Sequence, residues 1–176
     1  MDASRIELYL VLDQLGLSKL KLDTFSERFN VQKRMYLTQI MGYDLGYRFN
    51  WYIRGPYSPR LTEEVFALRD DLTAGDQDFN DYQLSPDGLE RIRKATALCD
   101  IPKGLSIEPN RWLELLASLH YLKHIAYWPD KSERSFTAVF EKLVESKPHF
   151  AGARVEAEVA WKQLEAFGLT ENSTAA

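Results

Sequence analysis

The side chains best suited to chemistry are few and scattered along this chain. His120 and His124 stand four residues apart, a spacing that puts two imidazoles on one face of a helix. Tyr121, Leu122 and Lys123 lie between them, so there is no zincin motif, and a polar helix flank is the simpler expectation. Asp76-x-Asp78-x-Asn80 has the opening of a calcium loop. Its sixth position is Asp81 instead of the glycine the sharp turn needs, and its twelfth is Asp87 instead of glutamate, so it reads as a solvated acidic turn. Cys99 has no base beside it in sequence and is expected to be a buried, inert thiol. His149 lies near Lys147 with no nucleophile adjacent. No phosphate-binding loop, dinucleotide fingerprint or nucleophile elbow is present. The reading is therefore of a non-enzyme with no catalytic residue, no metal, no cofactor and no small-molecule substrate.

Aromatic residues are the more informative signal. In Phe49–Pro59, FNWYIRGPYSP, Phe49, Trp51, Tyr52 and Tyr57 surround Arg54 and a Gly-Pro pair. Strand residues alternate between faces, so Phe49 and Trp51 share one side while Arg48, Asn50 and Tyr52 share the other. Arg48, Tyr52, Arg54 and Tyr57 are accordingly candidates for a partner-binding surface of the aromatic-and-basic kind enriched at interfaces. Coverage of the strand–helix junction is the alternative role for Tyr52 and Tyr57.

The elements that must position these groups follow from periodicity and punctuation. Ser4 and Glu7 read as a capping box for a helix carrying Leu8, Val11, Leu12 and Leu15 and ended by Gly16. A short helix over 23–29 and a third over Val31–Met41, capped by Asn30 and ended by Gly42, come next. Tyr47–Ile53 has strand composition, broken by Gly55-Pro56. Ser58-Pro59 opens a helix with an apolar stripe at Leu61, Val65, Leu68 and Leu72. An acidic turn, a strand over Tyr82–Leu84 and a second Ser-Pro helix start at Ser85-Pro86 follow, with Leu89, Ile92 and Ala95 on one face. Beyond the Pro- and Gly-bearing stretch 101–110 lie three amphipathic helices, marked by Trp112/Leu115/Leu116/Leu119/Leu122, Phe136/Val139/Phe140/Leu143 and Ala157/Ala160/Trp161/Leu164/Phe167. The expected fold is mostly α (α+β): a winged-helix-like module with a small antiparallel β-element over 1–100, a helical subdomain over 101–170, and a disordered tail over 171–176.

At 176 residues, 45% hydrophobic and 27% charged, the chain can build a real core. One cysteine excludes an internal disulfide framework, and no apolar run reaches membrane length. The start MDASRIELYL lacks the basic opening of a signal peptide, so a cytoplasmic location is expected. The net charge of −4 is unevenly divided: residues 1–60 carry +3 and residues 61–176 carry −7.

That division bears on nucleic acid. In a winged helix the helix before the wing enters the major groove. Here it carries Arg60 and Arg69 against Glu63, Glu64, Asp70 and Asp71, and the wing adds Asp76, Asp78 and Asp81 without one basic residue. Such a surface repels phosphate. The alternative DNA-reading surface is Val31–Met41, with Arg28, Gln32, Lys33, Arg34 and Gln39 as candidate contacts on its polar face.

The run NVQKRMYLTQIMGYDLGY, followed directly by RFNWYIRGPYSPRL, and the later SKPHF and GLT resemble the YwgA-like family of small prokaryotic proteins. There a Leu-Gln-Lys-hydrophobic-Tyr helix precedes an F-x-(F/W)-Y-x-x-G-P-Y-S segment. The likeness is best over residues 28–72, with Val31 in place of the usual Leu and Arg34 inside the helix. The Panacea antitoxin domain is more distantly similar. The resemblance implies a winged-helix-like module used in regulation or genome defence, with no established catalytic residues. The expected function is a regulatory protein acting through protein–protein contacts, with a protein partner or a second copy of itself, and the alternative is a sequence-specific DNA-binding regulator.

Overall fold

The computed structural model describes residues 1–129 and 133–172. Among them are seven α-helices and one two-stranded antiparallel sheet, a mostly α chain with a small β-element. The elements are α1 (Ala3–Gln14), α2 (Phe25–Ile40), β1 (Asn50–Tyr52), β2 (Gly55–Tyr57), α3 (Pro59–Thr73), α4 (Pro86–Cys99), α5 (Pro109–His124), α6 (Phe136–Ser146) and α7 (Arg154–Ala166). None of these helices is long and apolar enough to cross a membrane.

Cap chemistry explains most boundaries and corrects several expectations. α1 is capped by Asp2, whose carboxylate accepts from the Arg5 amide at 3.0 Å; Ser4 donates to Asp2 instead of capping. The two helices expected over 23–41 are one. Thr24 and Glu27 form the capping box, each side chain accepting from the other's amide. Asn30 does not cap: its side-chain oxygen accepts from Arg34 Nε at 2.9 Å, an i,i+4 bond that carries the helix straight through.

The Gly55-Pro56 pair, expected to break the strand, is the second strand. A two-stranded sheet has only edge strands, where the N–H that proline lacks need not be paired. Gly55 sits at φ 85°, the left-handed conformation that closes the two-residue Ile53-Arg54 turn. Ser58 caps α3 and Pro59 opens it, as the sequence indicates. The strand expected over Tyr82–Leu84 does not form. The acidic segment makes a 3-10 turn at Asp78–Asp81, and the chain beyond it has no ladder partner among the described residues. The hairpin therefore lies before α3, where a wing would follow it.

The chain divides into two compact units. The first comprises Met1–Asn50 and Tyr57–Ala97; the second comprises Trp51–Pro56 and the residues from Leu98 onward. The division falls in the last turn of α4, and the hairpin turn belongs to the second unit although its flanks belong to the first. The tail residues 173–176 lie outside the described residues.

In the first unit, Leu8, Val11 and Leu12 of α1, Val31 and Met35 of α2, Leu61, Val65 and Leu68 of α3 and Ile92 of α4 form one buried cluster. Each contributes about 1.5–3 kcal/mol by leaving water. Gln32 stitches α2 to the start of α3: its amide accepts from Ser58 N and donates to Ser58 O and Thr62 Oγ1, at 2.8–2.9 Å.

In the second unit, α5 is the central element. Trp112 through Leu122 are buried on every face, with α6 contributing Val139, Phe140 and Leu143 and α7 contributing Ala157, Ala160, Trp161 and Leu164. Trp112 Nε1 donates to Cys99 O at 3.2 Å.

Candidate functional site

Three positions on the buried helix α5 break its apolar run on a single face: Glu114, Ser118 and Tyr121, spaced i, i+4, i+7. That face receives the hairpin turn of the same unit. The Trp51 ring stacks on Tyr121 with centroids 5.4 Å apart. Glu114 is 3% exposed, yet its Oε1 has no well-formed hydrogen bond among the described residues; Ser118 Oγ is in the same condition. Three nitrogen-bearing groups surround the Glu114 carboxylate: His149 Nε2 at 3.3 Å, Arg54 Nη1 at 3.8 Å and Lys147 Nζ at 3.9 Å.

Lys147 is the pivot. It follows α6 directly, before the 3-10 turn Pro148–Phe150, and is only 2% exposed. Its ammonium donates to Tyr52 O at 2.9 Å and to Ile53 O, and lies 4.7 Å above the Trp51 ring. Burial lowers its pKa from 10.5 to about 8; the Glu114 carboxylate opposes that fall and Arg54 adds to it. His149 is anchored through its own carbonyl, which accepts from Arg111 at 3.2 Å, while the Arg111 guanidinium lies over Phe150.

The result is a hairpin turn clamped from beneath, with its outer side chains in solvent. Ile53 is 86% exposed and Tyr52 45%. Arg54 is half in solvent and reaches back to Glu114. The clamp can fix the shape of an exposed apolar tip.

Of the four partner-binding candidates, Tyr52 and Arg54 lie on this turn. Arg48, exposed, and Tyr57, whose hydroxyl accepts from Thr62, belong to the first unit. The expected alternation holds locally: Phe49 and Trp51 are both partly covered while Arg48, Asn50 and Tyr52 are exposed. The two covered rings serve different units, Phe49 meeting Tyr36 edge-on at 5.2 Å and Trp51 meeting Tyr121.

The expected polar face on α2 is corrected. Gln32 and Lys33 are buried, at 3% and 2% exposure, and Gln32 is engaged by the backbone of Ser58. Gln39 is held by both backbone groups of Tyr47 at 2.9 and 3.0 Å. Lys33 lies over the Phe29 ring. Arg28 donates to Leu22 O and Arg34 bonds Asn30; both stay partly exposed.

The histidine pair is corrected too. His120 is buried, its ring 4.8 Å from that of His124, and burial together with the neighbouring imidazole pushes its pKa down to about 3. His124 Nε2 donates to Leu169 O at 2.6 Å. Cys99 is buried. Asp76 Oδ1 accepts from the Asp78 amide, an ordinary acidic turn.

Sequence reasoning missed Glu114, Lys147 and Ile53. A lone carboxylate inside the run WLELLASL was the available signal, because an apolar run this dense is buried throughout. Lys147 gave none.

No family model, no curated protein and no solved structure matches the chain.

Proposed function

We propose that this chain is a non-enzymatic binding or regulatory protein that acts through protein–protein contact, with the hairpin tip Tyr52-Ile53-Arg54 as its contact element. One observation carries the reading: two large apolar side chains and an arginine stand in solvent on a turn whose backbone carbonyls are held by a buried lysine. Aromatic and arginine side chains supply most hot-spot energy, and a pre-shaped loop loses little entropy on binding. The resemblance to the YwgA-like family adds a regulatory or defence setting to the same proposal. DNA reading through Val31–Met41 has less support, since Gln32 and Lys33 are buried and the amides of Gln32 and Gln39 already serve the backbone.

Co-purification from the native cell tests the proposal, with wild type and Ile53→Asp compared at equal amounts. The expected result is a stoichiometric protein companion that is lost with Ile53→Asp while the melting temperature is unchanged. Equal recovery with both proteins contradicts it.

A further inference from the structure

The first unit contains a cleft between the loop that follows α1 and the first half of α2, with a volume of about 510 Å³. That lies within the range of about 300–1,000 Å³ usual for small-molecule sites. Its floor is apolar: Leu15, Leu20 and Val31, all buried, line it. Its rim is cationic: Lys19 and Lys21 come from the loop and Arg34 from α2.

Only one carboxylate lines the cleft, and it is already engaged. Glu27 accepts from both the amide and the hydroxyl of Thr24 at 2.9 Å, closing the capping box. The side-chain oxygen of Asn30, also in the lining, accepts from Arg34 Nε. Among the described residues no carboxylate lies within ion-pairing distance of Lys19, Lys21 or Arg34. Arg5 of the same unit, by contrast, is paired with both Glu64 and Asp71. The cleft thus presents three cations and one committed anion above an apolar base.

The wall is also the one place among the described residues where a side-chain-bearing residue takes a left-handed backbone: Leu20 at φ 40°. A leucine there is strained, and Leu20, buried between the two lysines in sequence, lines the floor.

We propose that this cleft binds a small organic dianion with an apolar body, the chemical class of an aryl or alkyl phosphate monoester. The dianion answers the excess of two positive charges; the apolar body covers Leu15, Leu20 and Val31. The site shares no residue with the hairpin tip, and the proposal stands independently of the protein-contact reading.

Calorimetric titration of the full chain with phenyl phosphate at low ionic strength tests this, with benzyl alcohol and a DNA duplex as comparison ligands. Saturable one-to-one binding of phenyl phosphate is expected, with benzyl alcohol at least about tenfold weaker. Lys21→Glu, at an exposed position, and separately Arg34→Gln are expected to weaken binding about tenfold, as loss of an attracting charge beside a dianion requires. Arg93→Gln, on α4, leaves it unchanged. Absence of saturable binding overturns the proposal, as does binding that Lys21→Glu and Arg34→Gln both leave within about twofold of wild type. Tighter duplex binding that depends on the same two residues also overturns it and assigns the cleft to nucleic acid.

Discussion

Gln32 is the side chain whose role changes most between sequence and structure. In the string VQKRMYLTQ a glutamine beside a lysine and an arginine reads as solvent-facing, because polar neighbours on a helix usually share its wet side. Here its amide satisfies both backbone groups of Ser58, at the point where β2 gives way to α3. Pattern reasoning cannot see this, since the partner lies 26 residues away. Gln32→Ala leaves the buried Ser58 N–H unpaired, while Ser58 O keeps the Thr62 amide, and should cost about 1–3 kcal/mol in chemical denaturation. A cost below about 0.5 kcal/mol would mean that the bond is incidental. Lys147 makes a second prediction at this scale. Its folded pKa of about 8 lies below its ordinary 10.5, so between those values the unfolded chain holds more protons than the native one. Stability must then rise with pH across that window, with a slope of at most about 1.4 kcal/mol per pH unit, and be insensitive to this group below it. The same sign applies to His120 between about 3 and 6.5, where acid removes stability. Denaturant midpoints from pH 8 to 10 should climb in wild type more than in Lys147→Met; parallel profiles would contradict the assignment.

The elements were legible where one signal dominated. Ser58-Pro59 started α3 as read, and the apolar stripes of α6 and α7 supply their buried faces, because a 3.6-residue period has no other use in so small a core. They were illegible where two signals competed. Asn30 and Thr24 can both cap, and the winner was set by Glu27, three residues after Thr24. Proline and glycine argued against a strand at Gly55–Tyr57, yet a hairpin with two edges tolerates both. The strand expected over Tyr82–Leu84, ahead of the Ser85-Pro86 helix start, was illegible for another reason. No strand forms, and Gly88 is small because the Tyr43 ring lies against it: a Cβ there would stand 2.7 Å from Tyr43 Cε2. Tyr43 cannot easily yield, since its hydroxyl donates to Glu7 at 2.9 Å. Gly88→Ala should therefore lower stability by about 1–3 kcal/mol despite alanine's better helix propensity. Unchanged or raised stability in thermal melts would show that the ring moves aside.

At the scale of the molecule, a mostly α chain was readable from composition and period, but the division of labour was not. The sequence suggests one cut after residue 100, whereas six residues of the hairpin, Trp51–Pro56, belong to the unit that resumes at Leu98. That assignment depends on Lys147 and Tyr121, which are remote in sequence and unremarkable in type. The cationic cleft was hidden for a similar reason, its charges being divided between a loop and a helix that each look ordinary. The proposed contact surface lies in the aromatic and basic stretch around the Gly-Pro pair, where Ile53 is the most exposed large apolar side chain. The direct measurement of that surface is photo-crosslinking in the native cell, with a benzophenone side chain at position 53 and, as control, at the exposed Arg93 of α4. A discrete protein adduct at position 53 that is absent at position 93 is the predicted result. No adduct at either position, or the same adducts at both, would contradict the hairpin tip as the contact element.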